Sequence, residues 1–431
     1  MNDVKQHVPI YKKFFGTFGV MLISKTIAVG AGVIYARYLG PEQFGLYSYI
    51  LSIITVSTLP IVAGLPNLLT REVANYQLEK NWSRLHGVIK WSRLYVFTLS
   101  ILTIVILLLG IYTGFFDTIV SSLIIIGVFL VPIRGLLTQQ SAILNGFRCP
   151  ILAQLPSQII TPFITLISLC LIILFYKVDI KAGELLSITV FSSLVGLLCS
   201  YKFIVRAIKH KARVSEAKYE IRSWHKALLP FTMLAFIGTL NTEIVSVLIG
   251  YIVGHEHVGY FKVAMQAILL VSLALTAINT VIMPNVARLY KKGDLVSTQQ
   301  LLTKSVRLST LISLPIILFL LVFGDTAIDF LFGSEYLPAY PILIVLCIGQ
   351  LCGVCMGSVG LVLNMTGNEK ETLKFIIITL LLNVILLTIL LPHFGALGGA
   401  YSVSICLVFL NTTLAVKTRN ITGLKTWFVL K

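Results

Sequence analysis

LGPEQFGLYSY, residues 39–49, joins the end of one apolar stretch to the start of the next, and VGHEHVGYFKV, residues 253–263, does the same later in the chain. Gly40, Glu42, Gly45 and Tyr47 fall opposite Gly254, Glu256, Gly259 and Phe261 at one constant offset. Outward from the first copy the apolar spans read 14–36, 46–67, 92–113, 118–140, 151–175 and 184–205. Outward from the second they read 228–250, 259–283, 306–330, 339–363, 373–391 and 396–416. Each approaches the roughly 20 residues a helix needs to cross about 30 Å of hydrocarbon. Each copy follows the first span of a set of six. Six is even, so both sets keep the same orientation and form parallel repeats about an axis along the membrane normal. The sequence predicts an all-α polytopic membrane protein with about twelve transmembrane helices in two parallel six-helix lobes around a central cavity. The expected boundaries are 1–205 for the N-terminal lobe, 206–227 for a basic cytoplasmic linker, and 228–431 for the C-terminal lobe and short tail.

Charge supports this reading. Only 12% of the 431 residues are charged, yet the net charge is +17, and the mean hydropathy of +0.93 lies far outside the soluble range. Lys and Arg gather at the two termini and in every second loop, a positive-inside pattern that predicts both termini on the cytoplasmic side. Anionic lipid head groups account for such a distribution better than nucleic acid does. The opening MNDVKQHVPIYKKFF carries Lys5, Lys12 and Lys13 ahead of an apolar run and reads as a retained first helix. The longer linkers, 68–91, 206–227 and 284–305, fall on the basic side, and the last two read as interfacial amphipathic helices. The opposite loops are short; the largest, 331–338, contains Glu335 and no Lys or Arg. No Walker, dinucleotide or zinc motif occurs, and no cytosolic domain is predicted. That argues against an ATPase or glycosyltransferase and for a secondary transporter rather than an enzyme. Of the seven cysteines, Cys352 and Cys355 form a CxxC within an apolar span without a second ligand pair, and read as small packing residues.

Polar groups inside spans are the functional candidates. Lys25 lies mid-span, where a cation calls for a wet cavity or an anionic partner. Arg134 sits late in the fourth span, two residues after Pro132, whose ring frees a carbonyl and favours a kink. Arg37 ends the first span and Lys262 begins the eighth on the outer side. These four cations are candidates for a surface attracting phosphate, with interfacial anchoring as the alternative for Arg37 and Lys262. Glu243 is the carboxylate placed well inside a span; Asn241 and Ser246 flank it, and Thr239 shares its helix face. A carboxylate there takes up H+ in low-polarity surroundings, or Na+ where other oxygens complete a shell. The alternative is a carboxylate neutralised by Lys25 or held by hydrogen bonds. Asn279, Asn364 and Asn383 add candidate cavity polarity, while Gly349, Gly353 and Gly357 form a small-residue packing face.

ARYLGPEQFGLYSY at 36–49 resembles the opening signature of the Wzx-type O-antigen flippases. IGYIVGHEHVGYFKVAMQ at 249–266 resembles its second-lobe counterpart, and NMTGNEKETLK at 364–374 and LLNVILLTILLPHFGALGGAYS at 381–402 resemble the later landmarks. This family lies within the multidrug/oligosaccharidyl-lipid/polysaccharide exporter superfamily. The resemblance implies a flippase moving an undecaprenyl-pyrophosphate-linked oligosaccharide from the cytoplasmic to the outer leaflet of a bacterial inner membrane. It implies H+ or Na+ as candidate coupling ions and a polysaccharide polymerase or chain-length regulator as a candidate partner; no cofactor and no nucleic-acid partner are expected, and two internal lobes that already supply both sides of a cavity predict a monomer. Lys25, Arg37 and Arg134 would meet the pyrophosphate and Glu243 would couple ions, although Asp is the more familiar residue at that place. A small-molecule exporter of the same fold and a non-transport scaffold of a polysaccharide assembly complex stay open, as do teichoic-acid and capsule units among the substrates.

Overall fold

The computed structural model describes residues 10–176, 180–211 and 215–428. Lys5 lies outside them. The described chain is helical, without strands, and ten of its helical stretches are long and apolar enough to cross a bilayer. The first, Ile23–Leu78, covers residues 23–36 of the first expected span and all of the second, and the expected eighth span lies within a further helix, His255–Lys291. The protein is a multi-pass membrane protein.

Breaks in the helices follow local chemistry. The helical path Ile10–Val62 turns at Gly40 (φ 72°), which divides it into arms 10–39 and 41–62. Gly254, at the matching position of the second copy, caps His255–Lys291 with φ 126°. A side chain at either position would strain the backbone. The fourth span is split into Thr118–Gly127 and Leu130–Gly146. Pro132 has no N–H for the Val128 carbonyl, and the Val131 N–H takes it instead at 3.1 Å. The fifth span contains a π-turn at Pro156–Ile160 between Pro150–Leu155 and Thr161–Tyr176. The Pro156 carbonyl accepts from both the Thr161 backbone N–H and, at 3.0 Å, the Thr161 hydroxyl, which holds the wider turn together.

The linkers differ from the sequence expectation. Leu295–Phe332 has 38 residues, about 57 Å at helical rise, so it outruns the hydrocarbon. It and His255–Lys291 run on through 284–305 and meet at a turn where Gly293 has φ 75°. No separate interfacial helix forms there. In 206–227 the helix Ala182–Lys211 ends, residues 215–220 run without regular structure, and Ile221–Ile252 begins. The Lys218 N–H donates to the Ser83 carbonyl at 3.0 Å, and a Cβ on Gly87 would stand 1.9 Å from the Lys218 carbonyl oxygen. This segment is pinned to the helix Trp82–Tyr112, so it does not lie free at the interface as an amphipathic helix. Glu220 pairs with Arg84 at 2.8 Å, and Trp224, 1% exposed, donates to Tyr76 at 3.0 Å.

By contact the chain divides into two compact units. The first holds the described residues up to Ile34 with Ile53–Phe236; the second holds Tyr35–Ser52 with Ile237–Lys431. Within the second, the two motif copies lie against each other. A Cβ on Gly45 would stand 1.8 Å from the His255 carbonyl oxygen, and one on Gly259 would stand 2.4 Å from the Pro41 carbonyl oxygen. His255 is the counterpart of Pro41, so the contact is reciprocal. Tyr336, also buried, donates to the Ala36 carbonyl at 2.8 Å and stacks edge-on with Phe44 and Tyr260. Burial, with Glu335 beside it, pushes the Tyr336 phenol upward, so it stays a donor throughout the physiological range.

Candidate functional site

In the first unit, the helix Leu130–Gly146 carries Arg134, Thr138, Ser141 and Asn145 at spacings of four, three and four, hence along one face. These residues, with Thr55, Thr58 and Ser157, line a cavity of about 300 Å³. The half-buried Arg134 donates from Nη1 to the Thr55 hydroxyl at 2.9 Å. The site is a guanidinium among hydroxyl and amide groups, closed by Val62, Pro66, Leu137 and Ala142. Its planar donor fork matches a phosphate oxygen pair, and the hydroxyls supply further donors around it. Lys25 is exposed on arm 10–39 and is not among the residues lining this cavity. Its neighbour Ser24 donates to Gln158 at 3.3 Å, tying the arm to the π-turn.

In the second unit, Glu243 and Lys262 are brought together. Glu243 Oε2 accepts from the Ser52 hydroxyl at 2.7 Å and faces Lys262 Nζ at 3.4 Å. Both side chains are about three-quarters shielded, at 23% and 27% exposure. Lys262 is thus the cation beside the carboxylate. Asn241 and Asn383 form the next polar pair: Asn383 Nδ2 donates to Asn241 Oδ1 at 2.7 Å, while Ser402 donates to Asn383 Oδ1 at 2.7 Å. Ser246 is buried and its hydroxyl has no hydrogen-bond partner among the described residues. The Thr239 carbonyl accepts from Thr242 at 2.8 Å. Asn279 accepts from Ser358 elsewhere in the unit, and the Asn364 amide oxygen has no partner among the described residues. Arg37 donates to the Phe330 carbonyl at 3.1 Å on an exposed edge.

Sequence reasoning missed Ser52, Thr55, Thr138, Ser141, Asn145 and Ser402. The first five had a signal: hydroxyl or amide residues repeating at helical spacing through otherwise apolar spans. No group of three His, Cys, Asp or Glu suited to a metal occurs among the described residues, and Cys352 and Cys355 are free thiols in the helix Ala339–Met356.

A family model described as polysaccharide biosynthesis protein matches residues 34–341. The putative O-antigen transporter of Shigella flexneri is 25% identical over 407 residues, covering 89% of this chain and 91% of that protein. The capsular polysaccharide biosynthesis protein CapF of Staphylococcus aureus is 26% identical over 177 residues, 41% of this chain. That similarity spans 45% of CapF, about half its length. Among solved structures, the lipid II flippase MurJ in an inward closed conformation has a TM-score of 0.74. The match covers 94% of this chain and 87% of that one at 16% identity, a likeness of fold.

Proposed function

Because this chain belongs to the polysaccharide biosynthesis protein family, within the multidrug/oligosaccharidyl-lipid/polysaccharide exporter superfamily, we propose that it is an alternating-access flippase. Its substrate is an undecaprenyl-pyrophosphate-linked oligosaccharide, moved from the cytoplasmic to the outer leaflet of a bacterial inner membrane. Both termini are cytoplasmic in this reading, and the flippase works as a monomer beside a polymerase or chain-length regulator.

The observation that carries the proposal is the Arg134 cavity. A charged, hydrated head group faces a large desolvation penalty in hydrocarbon. A guanidinium and several hydroxyls inside the membrane domain offset part of it by replacing water as donors. At about 300 Å³ the cavity is at the small end of ligand sites, roughly 300–1,000 Å³. We therefore assign it to the phosphates rather than to the whole glycan. Lys25, exposed on arm 10–39, is a second cation for the approaching head group. The cycle loads the head group on the cytoplasmic side, closes that side, releases outward and resets, with Glu243 as the candidate H+ or Na+ site. Net flow also draws on synthesis inside and consumption outside.

The test is the sidedness of the lipid-linked glycan in a deletion strain complemented with wild type, Arg134→Ala, Arg134→Lys or Lys25→Ala at matched protein level. Wild type restores outward-facing glycan. Arg134→Ala loses on the order of 90% or more of that activity, the loss of one charge-assisted phosphate contact worth about 1.5–3 kcal/mol. Arg134→Lys recovers part of it, because it keeps the charge without the fork. Unchanged sidedness in the deletion strain, with no second flippase present, removes the glycan assignment and turns attention to small-molecule export or scaffolding.

A further inference from the structure

The first unit has a second cavity, of about 560 Å³, walled by the helices Trp82–Tyr112, Leu130–Gly146 and Ala182–Lys211. It shares none of its lining residues with the Arg134 site. Its polarity changes along its length. Lys90 and Arg93 are exposed at the basic end of their helix, and the same helix continues the lining as Leu94 and Phe97, both well over half exposed. Tyr201 lines the opposite wall, with Lys202 next to it in sequence.

Gln139 sets the level of the third wall. Its Nε2 donates to the Ile89 carbonyl at 3.2 Å and the Ser92 hydroxyl at 2.8 Å, which fixes that helix against Trp82–Tyr112. The next residue, Gln140, consequently stands level with Lys90 and Arg93 and lines the cavity. Gln140 is 8% exposed, and its amide oxygen has no hydrogen-bond partner among the described residues. That oxygen is closed off from the groove, so Gln140 lines it through the rest of its side chain and the charged contacts fall to Lys90 and Arg93.

We propose that this groove holds one anionic glycerophospholipid, of the phosphatidylglycerol class. Its phosphate lies against Lys90 and Arg93, and an acyl chain runs along Leu94 and Phe97. Charge complementarity selects the occupant: two cations at one end of an apolar trough fit a single anionic amphiphile, and an uncharged lipid leaves the cations unmatched. A soluble phosphate leaves the apolar length unfilled. Because the basic side is read as cytoplasmic, the lipid belongs to the inner leaflet. The site does not depend on which glycan the protein carries.

The experiment uses the full purified chain in neutral detergent. Thermal stabilisation is followed while phosphatidylglycerol, phosphatidylcholine, glycerol phosphate or polyprenyl phosphate is titrated in. Phosphatidylglycerol stabilises at the lowest concentration, and glycerol phosphate has no effect. Lys90→Gln and Arg93→Gln each weaken the phosphatidylglycerol effect about fivefold, in keeping with one cation near an anionic lipid. Equal stabilisation by phosphatidylcholine, indifference to both charge variants, or binding of polyprenyl phosphate alone overturns the proposal. Should the charge variants not accumulate, Phe97→Trp replaces them: brominated phosphatidylglycerol quenches it at a lower mole fraction than brominated phosphatidylcholine. Leu108→Trp, on the same helix outside the groove, shows no such difference. Equal quenching at both positions likewise overturns the proposal.

Discussion

Glu243 has two partners of different kinds, a hydroxyl donor at 2.7 Å and a tethered ammonium at 3.4 Å. The Lys262 ammonium occupies ground that a coupling ion would need, so the carboxylate can exchange one cation for another without ever being left bare. Removing either member leaves an uncompensated charge in apolar surroundings. For fully buried pairs this costs about 3–5 kcal/mol; with roughly a quarter of each side chain still exposed, about 2 kcal/mol is the expectation here. Glu243→Gln and Lys262→Met should each lower the unfolding midpoint in detergent, and the double variant should regain most of the loss. Transport separates the two roles of the carboxylate. If Glu243 takes the coupling ion, the double variant is stable and inactive; if it is only Lys262's counter-ion, stability and glycan sidedness recover together. We expect the first outcome. Lys262→Met alone, where it folds, should respond to Na+ or H+ at lower concentration than wild type, because the internal competitor is gone. An unchanged ion response would remove that competition from the account.

At the scale of elements, the paired motif is a clasp whose closeness depends on two missing side chains. A methyl group at Gly45 or Gly259 would overlap a backbone carbonyl across the contact, and overpacking of this kind costs about 1–3 kcal/mol. Gly45→Ala should therefore weaken this contact, raising the fraction of time it is open by roughly 5–150-fold. Ser48, 7% exposed beside the contact, reports on it. In a cysteine-free background, Ser48→Cys should react with a membrane-impermeant thiol reagent at least about fivefold faster when Gly45→Ala is added. Gly30→Ala, whose Cβ would meet nothing within 4 Å, should leave the rate unchanged, and equal rates in all three would mean that no clasp governs access. The sequence already showed Gly45 and Gly259 as counterparts, because repetition at a fixed offset needs no tertiary knowledge. That the two copies touch was hidden, since a repeat records common descent and not contact. Pro132 was likewise legible as a helix break, whereas the π-turn at Pro156–Ile160 depends on how Thr161 satisfies a carbonyl. Span number and order could be read from hydropathy. The helices' continuation through 284–305 could not, because polar sequence beyond the bilayer is compatible with helix and coil alike. For the site, Arg134 stood out as a charge in hydrocarbon, but Thr138, Ser141 and Asn145 are individually ordinary in a membrane helix and acquire meaning only as one face.

Over the whole molecule, the distribution of charge makes a claim that the helices alone do not. A bundle of apolar helices is equally soluble in the bilayer either way up, and orientation is set by where Lys and Arg resist translocation. Most of the Lys and Arg behind the net charge of +17 fall, in sequence, at the termini and in every second loop. The loop containing Glu335 belongs to the alternate, Lys/Arg-poor set, and Glu335 stands beside Tyr336 and Gly40 of the glycine clasp. If the basic loops are cytoplasmic, the glycine contact lies toward the outer side, Lys90 and Arg93 meet the inner leaflet, and substrate export follows the direction proposed here. If they are external, all three assignments invert together. Glu335 and Glu216 are both exposed; in sequence the first falls in a loop of the Lys/Arg-poor set and the second in the basic linker 206–227, and substituting either by cysteine leaves the spans intact. In a cysteine-free background, Glu335→Cys should be labelled in whole cells by an impermeant maleimide. Glu216→Cys should be labelled only after the membrane is permeabilised. The reverse pattern would place the basic surface outside, and the flippase reading would then have to run inward, against the supply of a lipid-linked glycan made in the cytoplasm.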